Sequence, residues 1–359
     1  CGVGQCAATG SGNVFLGTNT GKCASGSGSF NNFVGLNAGY YNTSGQYNNF
    51  FGYFAGTKNT TGNCNNMIGA GAGRCATLTG EHNNFFGTNA GKCASGSGNY
   101  NNFIGNNAGK CNTAGCQNTF IGQQAGGQNT TAHHNTFIGY YAGFSATTIS
   151  NSDHNVVIGN DAAKCSTLGS YNTIFGDFAG GCASTDCSIL IGLQAGYCDS
   201  GNHNIFLGKH AGYENEGSNN IFIGCETGKC GNTTTTSCHN VFLGSRAGYG
   251  NTSGSNNIAI GYDAAKCLDS GESNVVLGPM AGACAAKIGG SVPTSQNVFI
   301  GYQSGNRACS TQTSVHIGYQ AGENSCKGIN NLYLGKAAGL NACCSGCSIA
   351  IGVGAGYCN

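Results

Sequence analysis

The sequence is poor in charge, in proline and in long apolar runs. Only 8% of its 359 residues are charged, 2 are proline and none is tryptophan. With 14 basic and 13 acidic residues the net charge is +1, which leaves no electrostatic footprint for nucleic acid or an anionic membrane. No apolar run approaches the roughly 18 residues that span a bilayer. We therefore expect no nucleic-acid partner and no membrane insertion of this segment.

Glycine and cysteine are abundant instead. The chain holds 65 glycines and 23 cysteines, whereas ordinary soluble domains contain about 7% glycine. This density of cysteine is typical of oxidising surroundings rather than a reduced cytosol. The composition therefore predicts an extracellular, cell-surface or virion-surface protein.

One motif repeats through the chain. Segments such as NNFVGLNAG, NNFIGNNAGKC and NIFLGKHAGY align to the template Asn-x-Φ-Φ-Gly-x-x-Ala-Gly-x-Cys, in which Φ is apolar. The first glycine of the template, position zero, occurs 20 times from Gly17 to Gly352, mostly 16 to 18 residues apart. Position −4 is almost always Asn, −1 is apolar, +3 is small and +4 is almost always Gly.

This regularity predicts an all-β fold, a parallel β-solenoid with one repeat of about 17 residues per turn and about 20 turns. Like residues then stack above like, so glycine serves tight corners, alanine fits a narrow interior and stacked asparagines exchange hydrogen bonds. A disordered glycine-rich chain is the alternative, but disorder does not require an apolar residue at every −1. We expect residues 1–359 to form a single continuous array.

The two faces of each strand are both apolar. Position −1 is the expected inward residue, and position −2, on the opposite face, is rich in phenylalanine. A thin coil cannot bury both rows, so the −2 row is predicted to pack against sister chains in a homo-oligomer, with a trimer as the expected closed form. The residues assigned to this packing are Phe15, Phe33, Phe50, Phe85, Phe103, Phe120, Phe137, Phe206, Phe222, Phe242 and Phe299.

The two ends lack the atypical polar repeats that normally cap a solenoid. The expectation is an uncapped array that either is a segment of a longer fibre or stacks head to tail.

The Asn-x-Φ-Φ-Gly-x-x-Ala-Gly repeat resembles the NSVAIG-type repeats of YadA-like trimeric autotransporter adhesin heads, and related repeats of phage and viral tail fibres. The resemblance covers nearly the whole chain. It implies a left-handed parallel β-roll in which three chains associate for surface attachment. The chain departs from that pattern in its longer repeats, in its phenylalanines and in its many cysteines.

Twelve cysteines occupy position +6, and others lie just before the next strand. We expect disulfides that reinforce the fibre rather than metal binding or redox catalysis. The connectivity stays open, because pairs within a loop and pairs between neighbouring turns both approach disulfide geometry. The candidates are Cys111 with Cys116, Cys182 with Cys187, and Cys230 with Cys238 within loops, and Cys75, Cys93 and Cys111 between turns.

Five Asn-x-Ser/Thr sequons fall at +7 or +8, on the predicted loop edge. They make Asn42, Asn59, Asn129, Asn232 and Asn251 candidate glycosylation sites. Chance alone explains several such matches in a chain so rich in Asn and Thr.

Five histidines share column −5 with Tyr47, Tyr100 and Tyr171. We expect ring stacking here rather than a metal ladder, so no metal or other cofactor is predicted. The histidines are His82, His134, His154, His203 and His239.

Catalysis is not expected, because acid–base chemistry needs paired groups and the repeated acidic deviations, Asp161 and Asp263, are single carboxylates. The sequence therefore predicts a structural subunit of an extracellular fibre or filament. It is expected to be disulfide-reinforced and to assemble with itself side by side. The alternative is an adhesive head or tail-fibre domain that binds a surface receptor or a glycan.

Overall fold

The computed structural model describes residues 10–23, 26–74, 78–94, 96–144, 152–229, 236–284, 294–308, 311–326, 328–342 and 346–357. The chain forms two compact units, Cys1–Cys182 (unit 1) and Ala183–Asn359 (unit 2). The described ranges contain short strands and turns and no α-helix, and hence no helix able to cross a membrane. The expected continuity of the repeat array from one unit to the next stays a prediction.

Each unit contains ten three-residue strands, one per repeat. The strands of unit 1 are β1 Val14–Leu16, β2 Asn32–Val34, β3 Asn49–Phe51, β4 Asn66–Ile68, β5 Asn84–Phe86, β6 Asn102–Ile104, β7 Thr119–Ile121, β8 Thr136–Ile138, β9 Val156–Ile158 and β10 Thr173–Phe175. Those of unit 2 are β11 Ile189–Ile191, β12 Ile205–Leu207, β13 Ile221–Ile223, β14 Val241–Leu243, β15 Ile258–Ile260, β16 Val275–Leu277, β17 Val298–Ile300, β18 Val315–Ile317, β19 Leu332–Leu334 and β20 Ile349–Ile351.

Consecutive strands pair in parallel within unit 1, from β1 to β10, and within unit 2, from β11 to β20. In each pair, residues at the same template position lie opposite each other. The long connection between β16 and β17 leaves this register intact, since Val276 still pairs with Phe299. The predicted parallel β-solenoid with one repeat per turn is therefore confirmed in each unit.

The middle residue of every strand, position −2, points into the coil of its own chain, and the flanking residues point out. Phe33, Phe50 and Phe103 are fully buried, whereas the −1 residue Ile104 is 44% exposed. The prediction that −1 points inward, and that the −2 phenylalanines pack against a sister chain, is wrong. Ten of the eleven rings assigned to that contact are at most 1% exposed within a single chain: Phe33, Phe50, Phe85, Phe103, Phe120, Phe137, Phe206, Phe222, Phe242 and Phe299.

The glycine at +4 provides the space for these rings. A Cβ on Gly109 would lie 2.5 Å from Phe103 of the same turn, closer than any real contact. Two repeats carry alanine at +4, Ala163 and Ala265, and the −2 residues of those repeats are the smaller Val157 and Ala259. The exchange of volume between −2 and +4 follows from close packing of the interior.

The glycine at position zero is required because the backbones of successive turns approach each other. Gly105 has a φ of 138°, and a Cβ there would lie 2.4 Å from the carbonyl oxygen of Gly122 in the next turn. Both the conformation and the contact exclude a side chain. This column therefore fixes the stacking of the turns.

The buried asparagines at −4 connect neighbouring turns. The side-chain oxygen of Asn31 accepts the backbone N–H of Asn48 at 2.9 Å, and Nδ2 of Asn48 donates to the carbonyl of Gly62 at 2.8 Å. These amides thus satisfy backbone groups that would otherwise be buried without partners. The predicted asparagine stacking is confirmed.

Candidate self-association surface

Positions −3 and −1 form the outer face of the sheet in each unit. Both positions point away from the coil, because side chains alternate along a strand and −2 is inside. In unit 2, Ile223, Ile258 and Ile260 are 38%, 39% and 40% exposed although copies stack above and below them. This outer face, not the phenylalanine row, exposes the aliphatic side chains of the strands to solvent.

In unit 1 the −3 column is largely polar. Five consecutive asparagines form a side-chain ladder in which each Nδ2 donates to the next Oδ1 at 2.7 to 2.8 Å. The members of the ladder are Asn32, Asn49, Asn66, Asn84 and Asn102. Threonines occupy the column at Thr119, Thr136 and Thr173. The apolar −1 column of unit 1 is therefore bordered by amides and hydroxyls.

In unit 2 the −3 column is aliphatic in all ten strands. Together with the −1 column it makes a surface two side chains wide without a polar interruption. The −3 residues are Ile189, Ile205, Ile221, Val241, Ile258, Val275, Val298, Val315, Leu332 and Ile349. The sequence analysis missed this surface, although the change from Asn and Thr to Ile, Val and Leu at −3 is readable in the sequence.

The size of this outer face follows from the geometry of strands. Ten strands at ~4.8 Å spacing, each three residues long at ~3.3 Å per residue, give about 500 Å². That is at the upper end of the apolar patches of ordinary monomers. Two such faces packed together bury about 1,000 Å², the lower limit for a specific interface.

Exposed rings line another column of unit 1. At −5, His134 stacks on His154 at 4.6 Å and His154 on Tyr171 at 4.9 Å, and His82 stacks on Tyr100 at 4.9 Å. The expected stacking of this column is confirmed for these five residues. No group of three or more His, Cys, Asp or Glu able to hold a metal occurs in the described ranges. In unit 2 the column is mostly polar, with His203 and His239 separated by Asn219.

The candidate disulfides are of two kinds, pairs within a loop and pairs between neighbouring turns. Cys111, Cys116, Cys182, Cys187 and Cys238 are free thiols, so the loop pairs are not formed in this structure. The N–H of Cys93 bonds to the carbonyl of Lys110 at 2.8 Å, which sets Cys93 beside Cys111 on the next turn. Two further candidates, Cys75 and Cys230, lie outside the described residues.

The glycosylation candidates are buried. Asn42, Asn59, Asn129 and Asn251 are at most 2% exposed. Nδ2 of Asn42 donates to the carbonyl of Gly45 at 3.0 Å. Glycosylation of these four amides is incompatible with the fold, because the packed turns around each side chain leave no room for a glycan. The fifth, Asn232, lies outside the described residues.

The two DAAKC carboxylates are paired with cations. Asp161 lies 2.9 Å from Nζ of Lys164, and Asp263 lies 2.7 Å from Nε of Arg246. The first ion pair lies within one turn and the second joins two neighbouring turns, and neither carboxylate faces a second carboxylate in these contacts.

Two buried ionisable groups interrupt the columns of unit 2. Burial raises the pKa of Asp199 to about 7, although its carboxylate accepts hydrogen bonds from Asn204, Asn215 and Gly201. Burial lowers the pKa of His316 to about 3. His316 occupies −2, next to Phe299 and Tyr333 in the ring stack, and its two ring nitrogens have no hydrogen-bond partner.

These two groups do not form an acid–base pair. Asp199 lies in the loop that precedes β12, and His316 lies within β18. Each is enclosed by the residues of its own column, so their shifted pKa values are explained by burial.

The chain matches no family model and no curated protein. The resemblance to adhesin-head and tail-fibre repeats therefore stays a prediction.

Proposed function

We propose that this chain is a structural segment of an extracellular fibre in which copies associate side by side through the outer sheet face of unit 2. The observation that carries the proposal is the uninterrupted aliphatic surface at −3 and −1 of β11–β20. Its columns repeat at the strand spacing, so an identical face offers ridges and grooves of matching period. A trimer, in which three outer faces meet around one axis, is the closed arrangement we expect.

An enzymatic function fits this chain less well than a structural one. Its perturbed ionisable groups are single and enclosed, whereas a catalytic site needs groups that converge on a substrate. The cysteine content supports placement outside the cytosol.

The experiment exploits the natural difference between the units. The triple variant Ile221→Asn, Val241→Asn, Ile258→Asn installs on β13–β15 the amides that β3–β5 already carry. Asparagine ladders fit this column in unit 1, so the fold should persist. We expect wild-type protein to sediment as concentration-dependent oligomers and the triple variant to sediment as a monomer.

The matched control is the reverse exchange, Asn49→Val, Asn66→Val, Asn84→Val, which should strengthen association by extending an apolar face on unit 1. A wild-type chain that stays monomeric at its highest soluble concentration contradicts the proposal. If the Asn triple variant still forms oligomers and its circular dichroism is unchanged, the interface lies on another surface.

Adhesion is the second candidate, and the exposed −5 column of unit 1 favours it. Tyr47, Tyr100 and Tyr171 are 54%, 56% and 62% exposed. Their hydroxyl-bearing edges are suited to hydrogen bonding with a glycan. Binding to a glycan array that is lost in the triple Tyr→Phe variant would support this role, and an array without signal would argue against it.

A further inference from the structure

Where two successive turns both carry cysteine at +6, the two cysteines stand beside each other. Cys165 and Cys182 both occupy this position in unit 1, on the turns of β9 and β10. Both are exposed and both carry free thiols. The loop pairing expected from the sequence joins Cys182 to Cys187 instead.

The hydrogen bonds between the two turns fix their register. Val156 pairs with Thr173 in the sheet, an offset of 17 residues, and the N–H of Val156 bonds to the carbonyl of Asn172. The N–H of Cys165 bonds in the same way to the carbonyl of Gly181 at 2.8 Å. The same offset therefore sets Cys165 directly beside Cys182.

This register brings the two cysteines within reach of a disulfide. Neighbouring strands are separated by ~4.8 Å, inside the range of about 4.4 to 6.8 Å between Cα atoms that disulfides span. A modest tilt of the two Cβ atoms toward each other completes the geometry. Solvent exposure of both thiols gives an oxidant access.

We propose that Cys165 and Cys182 form a turn-to-turn disulfide when the chain meets a small-molecule disulfide such as oxidised glutathione. One cysteine thiolate attacks a glutathione sulfur and releases one glutathione thiol. The second cysteine thiolate then attacks the mixed disulfide and releases the other. The protein loses two protons and two electrons, and one glutathione disulfide becomes two thiols.

The consequence is a staple across one turn of unit 1. Closing the loop between the two cysteines restricts the unfolded chain, which stabilises the folded turns. The proposal does not depend on self-association, because both cysteines belong to the same chain.

The test maps the bond in the full-length wild-type protein after equilibration with oxidised glutathione at low protein concentration. Cleavage after lysine and aspartate places Cys165 on peptide 165–177, Cys182 on 178–186, and both Cys187 and Cys198 on 187–199. We expect a cross-linked species of the first two peptides, about 2 Da lighter than their sum. Alkylation before digestion prevents exchange.

Thermal unfolding supplies a second readout. Oxidation should raise the transition of unit 1 by roughly 5 °C, and Cys182→Ser should abolish that rise. The matched control is Cys225→Ser, which removes an exposed free thiol whose in-register neighbours are not cysteines. A link from 178–186 to 187–199, or full alkylation of both Cys165 and Cys182 after oxidation, would overturn the proposal.

Discussion

The two units share an interior and differ on the outside. Both repeat the −2 ring or aliphatic residue, the +3 small residue, the zero glycine and the −4 amide, because each of these must fit beside its own copies. The −3 column is an asparagine and threonine ladder through most of unit 1 and wholly aliphatic in unit 2. The interior columns thus determine the fold. The outer columns do not pack inside the coil, so their residues can differ between the units.

Unit 2 is also the less regular unit inside. It places an imidazole in the ring stack at His316 and a carboxylate in the buried loop column at Asp199, where unit 1 has no ionisable side chain in either column. Each irregularity gives unit 2 a pH dependence that unit 1 should lack.

The largest expected effect is the difference in stability between truncating a buried −2 residue and truncating its exposed −1 neighbour. Phe103→Ala should destabilise unit 1 by about 3–5 kcal/mol, because it opens a cavity in a packed interior. Its neighbour Ile104→Ala, on the outer face, should cost less than about 1 kcal/mol. Chemical denaturation followed by circular dichroism measures both. The matched pair in unit 2 is Phe222→Ala and Ile223→Ala, and equal costs within either pair would contradict the assignment of faces.

Replacement of the buried carboxylate should stabilise unit 2 at alkaline pH. The pKa of Asp199 is raised from 3.8 to about 7, so protonation favours the folded state. Its contribution is complete below pH 3.8 and declines as the pH rises to about 7, by up to about 4 kcal/mol.

Asp199→Asn should remove this decline, since asparagine already fills the same column at Asn42 and Asn59. The measurement is the free energy of unfolding at pH 4 and pH 8. A variant that gains no stability at pH 8 relative to wild type would contradict a net cost of burying the Asp199 charge.

The volume exchange between −2 and +4 can be tested in either unit. Val157→Phe should cost unit 1 about 3 kcal/mol, because the ring meets the Cβ of Ala163. Adding Ala163→Gly should recover most of that cost. The equivalent pair in unit 2 is Ala259→Phe with Ala265→Gly. A double-mutant cycle measures the coupling, and strictly additive costs would show that the two columns do not share space.

The smallest expected effect concerns acid stability. The folded-state pKa of His316 is lowered from 6.5 to about 3, so the unfolded chain binds the proton first. Stability is unaffected above pH 6.5 and falls as the pH drops toward 3, by about 2 kcal/mol at pH 5.

His316→Phe should abolish this loss and leave a regular ring stack. Hydrogen exchange at pH 5 and pH 7 localises the effect, which should be confined to turns near β18. Equal acid sensitivity of wild type and variant would place the responsible group elsewhere.

The sequence by itself predicted the repeat, the strands, the parallel register and the roles of the Gly and Asn columns. These follow locally. A position that has no room for a Cβ keeps glycine in nearly every repeat, and a position whose amide bonds to two turns keeps asparagine in most of them. The aliphatic −3 column of β11–β20 was equally readable but needed the correct face to be recognised.

Only the tertiary structure decided which side of the strand is inside. Strand alternation places −2 on one side and −1 and −3 on the other without saying which side faces the interior, and −2 and −1 are both apolar. The answer depends on where a ring finds room, which the glycine at +4 and the alanine at +3 provide across the coil from −2. The burial of Asn42, Asn59 and their column, and the placement of Cys165 beside Cys182, follow from the same winding, which sets residues 17 apart in contact.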